Sequence, residues 1–239
     1  MHLSMPPAGC RKILTFGFDD AEIHDERLAD LFRAYGMKAT FFLIAGQLSF
    51  RCDFHRYGED TVVQRVSAEQ IPYVYRGMEV ASHTMEHRCE IDQLDTAVGA
   101  SLRTLSACCG YPVRGLAYPG GVYTPEHVRR LPAYGVAYAR ATQYTQELSL
   151  PDEPLAWNPT CRYDDPQRER LAEEFLQYDG DEPALLYIAG HSYELTRKQA
   201  PYDWASFEEL LRRLSGRPDV WYATNLEIVE WLRHVRSHH

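Results

Sequence analysis

No apolar run in the 239 residues reaches the length of a membrane span. The first twelve residues hold no apolar stretch of the kind a secretory leader needs, so the expected compartment is the cytoplasm. Bases are outnumbered, 25 Lys and Arg against 34 Asp and Glu, and the net charge of −9 argues against a surface built to grip nucleic acid or an anionic membrane. The six cysteines, at positions 10, 52, 89, 108, 109 and 161, form no C-x-x-C pair. Cys108 and Cys109 are adjacent, a poor geometry for bonding to each other, so the expectation is reduced, mostly buried thiols. No Ser/Gly linker, Pro-rich spacer, long run of one charge or fixed-period repeat divides the chain, which reads as one domain over residues 1–239. Neither G-x-G-x-x-G after the first strand nor G-x-x-x-x-G-K-[ST] occurs, so nucleotide binding has no support.

What is present is globular. Hydrophobic residues make up 45%, aromatics 12% and charged residues 25%, which excludes a disordered or fibrous chain. Short apolar runs at 12–18, 38–45, 78–82, 115–118, 136–140, 184–189 and 220–224 read as strands, with 155–161 extended. Between them, 25–35, 67–76, 94–109, 124–134, 166–178, 206–214 and 226–235 read as helices, several closed by glycine or opened by Ser or Pro. Residues 46–66 are polar and mixed and read as a long loop. Strand and helix in alternation predict an α/β fold, a single distorted (β/α) barrel of about seven parallel strands. A doubly wound sheet is the alternative.

In parallel α/β folds the reactive residues gather at the carboxyl ends of strands. Here the first strand runs into Asp19-Asp20, the third into His83 with His87 beyond, the fourth into Tyr118-Pro119-Gly120-Gly121, and a late one into His191 with Glu194 beyond. Adjacent carboxylates at the end of a buried strand repel unless a cation or donor is present. They read either as a metal ligand beside a general base or as a helix cap. His83 and His87, four apart, would lie about 6 Å apart on a helical turn and suit one ion; they could equally be two surface histidines. Residues 83–87 also match H-x-x-E-H, which inside a helix would make Glu86 the base of a metalloprotease. His191 reads as a general acid or as a structural histidine. Glu194 reads as a residue that orients it, a substrate ligand or a helix-start acid. Tyr118, Tyr123, Trp157, Tyr163 and Tyr193 lie near strand ends, where aromatic faces could stack on a sugar ring.

Taken in order, these residues resemble the polysaccharide deacetylases of the NodB-homology class, carbohydrate esterase family 4. The family opens with a strand ending T-F-D-D-G, and this chain has Thr15-Phe16-Gly17-Phe18-Asp19-Asp20-Ala21. Its H-[ST]-x-x-H motif is met by His83-Thr84-Met85-Glu86-His87, and its late leucine-rich strand ending in histidine by residues 185–191. The resemblance implies Asp19 as general base, Asp20, His83 and His87 as ligands of a divalent ion, commonly zinc, and His191 as general acid. It further implies a backbone N–H from Tyr118-Pro119-Gly120 for the oxyanion.

Three positions depart from the family pattern. Ala21 replaces its glycine. The arginine of its third motif, which steadies the base, is missing at the matching spacing, where Ala117 falls, and Arg114 lies too far upstream. Its Asp-Trp motif is represented by Trp157-Asn158 without the acid. The chain is thus read as a divergent member, a hydrolase removing an N-acyl group from a small or oligomeric sugar. A barrel that has lost catalysis and binds a saccharide or partner is the alternative, and the H-x-x-E-H protease a minor one. The expected substrate is a soluble intracellular amide.

Overall fold

The computed structural model describes residues 6–56, 59–197 and 202–237. In chain order the elements are β1 (Lys12–Asp19), α1 (Asp25–Ala34), β2 (Thr40–Leu43), β3 (Arg51–Arg56), β4 (Glu59–Gln64), α2 (Ile71–Val74), β5 (Glu79–Ser82), α3 (Ala100–Cys109) and β6 (Gly115–Ala117). They continue with α4 (Pro125–Arg130), β7 (Tyr138–Arg140), β8 (Cys161–Arg162), α5 (Arg168–Gln177), β9 (Ala184–His191), α6 (Trp204–Leu214), β10 (Val220–Tyr222) and α7 (Asn225–Ser237).

Seven parallel strands run β7-β6-β5-β2-β1-β9-β8, and β10 pairs with the first half of β1. The segment 157–162 draws the two ends of that row together. Trp157 forms an isolated parallel bridge with Arg140, while Cys161 and Arg162 pair with Ile188 and Ala189 of β9. The result is the distorted (β/α) barrel that the strand–helix alternation predicts.

The period of two along each strand sorts the core into two layers. On β1, Leu14, Phe16 and Phe18 face the helices, where they pack with Phe32 of α1 and Phe207 of α6. Phe16 lies 4.7 Å from Phe32, and Phe18 meets Phe207 edge-on at 5.8 Å. The other parity, Ile13 on β1 with Leu185, Tyr187 and Ala189 on β9, joins Phe42, Ala81, Ala117, Tyr138 and Trp157 in an inner cluster. Extended upward, the inner parity of β1 reaches Asp19 and that of β9 reaches His191. The alternation that builds the core therefore also aims both side chains into the barrel mouth. Gly17 belongs to this inner row because a β-carbon there would stand 2.6 Å from the Tyr187 hydroxyl.

At the opposite end, Glu79 closes the barrel floor. It accepts from Thr40 Oγ1 at 2.8 Å, Tyr138 OH at 2.7 Å and Leu226 N at 2.9 Å.

Residues 46–66 are not a plain loop. They hold the antiparallel hairpin β3–β4, in which Cys52 faces Val63 and Phe54 faces Thr61. Its strands are rich in charge and stand out from the barrel, with Phe54 and Val62 exposed, so no apolar stripe marks them in the sequence. The extended stretch expected at 155–161 is a short 3-10 turn, Pro154–Ala156, followed by the bridge at Trp157. The helix expected at 94–109 opens with a π turn, Asp95–Gly99, before α3. No helix among the described residues is long and apolar enough to cross a membrane.

Candidate active site

Asp19 ends β1 and stands in register with His191, the last residue of β9. It is nearly buried, and three cations or potential cations surround it. Arg140 Nη2 donates to Asp19 Oδ2 at 2.5 Å, His83 Nε2 lies 3.8 Å from that oxygen and His191 Nε2 lies 3.9 Å from it. Burial alone would raise the Asp19 pKa, but Arg140, His83 and His191 outweigh it and hold the carboxyl below its ordinary range. Asp19 is thus an ionised acceptor, and its Oδ1 has no partner among the described residues.

Arg140 is the residue that sequence reasoning missed. It ends β7, is 2% exposed, and lies over the Phe42 ring at 5.1 Å. The guanidinium sought beside Ala117 on β6 comes instead from the neighbouring strand. Ala117 O serves a different purpose, bonding His83 Nδ1 at 3.0 Å. The available signal was an arginine at the end of a buried apolar strand, where an unpaired charge is costly.

His83 follows β5 and is held by His83 N to Leu43 O at 2.7 Å. With Nδ1 on the Ala117 carbonyl, the tautomer leaves Nε2 as a free lone pair. Burial holds the imidazole below its ordinary pKa despite Asp19 and Asp20, which favours the neutral form. Residues 83–87 are not helical: Thr84 and His87 adopt left-handed backbone, with φ of 69° and 56°. Ala45 N and Gly46 N donate to the carbonyls of Thr84 and Met85, and Thr84 N donates to Ser82 Oγ. The turn brings the two imidazoles together, ring centres 4.7 Å apart at 75°. Without a helix, the geometry that an H-x-x-E-H protease requires is absent, and the exposed Glu86 is no candidate base.

One ligand atom from each of Asp20, His83 and His87 lies within 4.8 Å of the others. Asp20 and His83 are buried and His87 is exposed. Asp20 Oδ1 is a buried oxygen with no hydrogen-bond partner among the described residues, Arg65 Nη1 standing 3.9 Å away. An orphaned carboxylate oxygen facing two imidazoles, one with its lone pair fixed, fits a divalent cation.

His191 Nδ1 meets Glu194 Oε2 at 3.1 Å, and both Glu194 oxygens accept from Arg162 Nη2 at 2.8 Å. Burial would lower the His191 pKa, but Glu194, Asp19 and Asp20 raise it above its ordinary value. Burial would raise Glu194, yet His191 and Arg162 hold it down to about 2. Of the readings open to Glu194, this contact matches the one in which it orients His191. Tyr193 lies against the His191 ring at 5.1 Å.

The turn after β6 has one donor to offer. Tyr118 N donates to Arg140 O, Gly121 N to Tyr118 O, and Pro119 has no N–H. Gly120 N has no partner among the described residues, and its φ of 61° suits glycine. The Tyr118 ring is buried, stacked on Tyr123 at 4.9 Å, with its hydroxyl on Leu155 O. Trp157 is 1% exposed and packs edge-on against Tyr187 and Tyr138 inside the barrel, below the mouth. Tyr163 is also buried.

The polysaccharide deacetylase family model matches residues 8–139, more than half of the chain. No curated protein sequence matches it. Among solved structures, a Mycobacterium smegmatis protein assigned to the polysaccharide deacetylases superposes with a TM-score of 0.66 at 18% identity, covering 100% of this chain and 94% of that one. A family 4 carbohydrate esterase from Streptomyces lividans, in complex with acetate, gives 0.54 at 16% identity over 88% and 91%. A family 4 acetyl xylan esterase from Clostridium thermocellum, in complex with a cobalt ion, gives 0.56 at 15% identity over 93% and 92%. At such identities the likeness speaks for the fold, and the sequence match adds the family: the chain belongs to the polysaccharide deacetylases.

Proposed function

We propose that this chain is a metal-dependent hydrolase that removes an N-acetyl or other N-acyl group from a carbohydrate or amino sugar. The carrying observation is the pairing at the barrel mouth. An ionised carboxylate and a histidine of raised pKa stand side by side, each braced by its own buried partner, next to a three-residue ligand cluster.

Asp20, His83 and His87 would hold the ion. One oxygen and two imidazole nitrogens suit zinc. A bound divalent ion supplies Lewis-acid chemistry, polarising the amide carbonyl and acidifying water. Asp19, kept ionised by Arg140, accepts the proton of the water that adds to the carbonyl carbon. Gly120 N–H is the donor left to the developing oxyanion. As the C–N bond breaks, His191 delivers a proton to the leaving nitrogen, since an amide anion is too basic to depart alone. The products are a carboxylic acid and a free amine.

A barrel that had lost catalysis would have little use for two braced proton carriers. Of the two departures that favour such a decay, the missing third-motif arginine and the altered Asp-Trp motif, the first is offset by Arg140. The deciding experiment is metal analysis of the purified protein beside His83→Ala, followed by assay of released acid on N-acylated sugars. About one divalent ion per chain, lost in the variant, with acid release by the wild type, supports the reading. A wild type that takes up no ion after soaking in zinc sinks it.

A further inference from the structure

Asp20 directly follows β1, and its N–H still donates to Phe42 O of β2 at 3.0 Å. There the chain turns out of the strand, Asp20 with φ 85° and Ala21 with φ 58°. Two consecutive L-residues in left-handed conformation are unfavourable by their own sterics, Ala21 above all, so something outside the turn must hold it.

That support comes from the foot of the β3–β4 hairpin. Ile23 N donates to Gln64 O at 2.8 Å, Val66 N to Ala21 O at 2.8 Å, and Glu22 forms an antiparallel bridge with Arg65. The Arg65 side chain turns inward and is 8% exposed. Its Nη1 donates to the Asp20 carbonyl oxygen and lies 3.9 Å from Asp20 Oδ1. One guanidinium therefore caps the strained carbonyl and sets a fixed positive charge beside the orphaned carboxylate oxygen. A planar fork can meet both needs at once, where an ammonium on a flexible stem meets one.

We infer that Arg65 is a positioning residue for the ligand Asp20, and that the hairpin is thereby part of the support of the metal centre. The inference rests on the proposed site reading. It predicts that loss of Arg65 weakens ion binding in a protein that is still folded, which a purely structural arginine would not do.

The test uses Co2+ alone as probe, followed by its visible d–d absorption, with thermal midpoints measured in parallel. The proteins are wild type, R65M, R65K and F54A, the last altering an exposed hairpin residue away from the site. R65M is expected to bind Co2+ at least about tenfold more weakly, as loss of an outer support typically does, with a changed band. R65K should fall between R65M and wild type, and F54A should match wild type. Wild-type affinity and band in R65M, even with a lowered thermal midpoint, overturn the inference. If R65M fails to fold, R65K decides: weakened binding supports the inference and wild-type binding overturns it. A wild type that binds no Co2+ removes the site reading itself, and the Arg65 inference with it.

Discussion

At the scale of single residues, two neighbouring carboxylates have different partners, and the proposed chemistry divides accordingly. Asp19 meets Arg140 and stands beside His191, whereas Asp20 faces His83 and His87. Asp19→Asn is therefore expected to abolish acid release while retaining the ion, and Asp20→Asn to lose the ion. Metal stoichiometry read beside turnover distinguishes them, and loss of the ion from both variants equally would merge the two roles. Glu194 gives a prediction with a sign. Its charge raises the His191 pKa, so Glu194→Gln lets the imidazolium deprotonate earlier. The basic limb of the pH profile of kcat/KM then moves to lower pH; an unmoved limb would mean that His191 is not the acid. That Asp19, Asp20, His83, His87 and His191 gather at one end of the barrel was legible in the sequence, because they stand at or just beyond the ends of apolar strands and their order resembles a family signature. Arg140 was not, because no local pattern tells which of two neighbouring strands will supply a charge across the barrel mouth.

At the scale of elements, buried carboxyls tie the helices and turns to the barrel. Asp25, at the start of α1, accepts from Ser192 Oγ at 2.5 Å and Tyr75 OH at 2.8 Å, joining the helix to the turn after His191 and to the end of α2. Burial, with Glu22 and Asp20 adding to it, raises its pKa to about 8. Burial likewise raises Glu79 to about 7. Between the ordinary carboxyl range and these values the folded protein keeps protons that the unfolded chain has released. Stability is thus greatest at the acid end of that window and declines as pH rises toward 8. The slope from one group is at most about 1.4 kcal/mol per pH unit. Asp25→Asn should flatten part of this decline, seen as a smaller drop in urea midpoint between pH 5 and pH 8. An identical drop in the variant would show that Asp25 is not holding its proton. The helices were readable from their spacing of apolar residues. The β3–β4 hairpin was not, since charged strands that face solvent leave no period in the sequence, and neither was the left-handed turn of residues 83–87.

For the whole molecule, the seven-strand ring depends on its weakest member. β8 is two residues long, and Trp157 fills the gap beside it by packing against Tyr138 and Tyr187. Placed there, Trp157 acts on stability. Trp157→Ala is expected to cost about 3–5 kcal/mol, as large core truncations do, measured by denaturant unfolding. A variant of wild-type stability with a raised KM would instead put the indole against substrate. Barrel class and strand number were legible from the alternation of strand and helix. Closure was not, because it is made by one bridge, a two-residue strand and the two aromatic contacts of Trp157 rather than by a regular strand.

The uneven burial of the candidate ligand cluster bears on how the proposed ion would reach it. Asp20 and His83 are buried and His87 is exposed. The cluster therefore has an open flank, and on the proposed reading an ion entering past His87 would need no unfolding of the barrel. Loading would then follow folding, and a chelator would reach the site by the same route. The occupancy of the purified protein would report the free ion around it as much as the conditions of its synthesis.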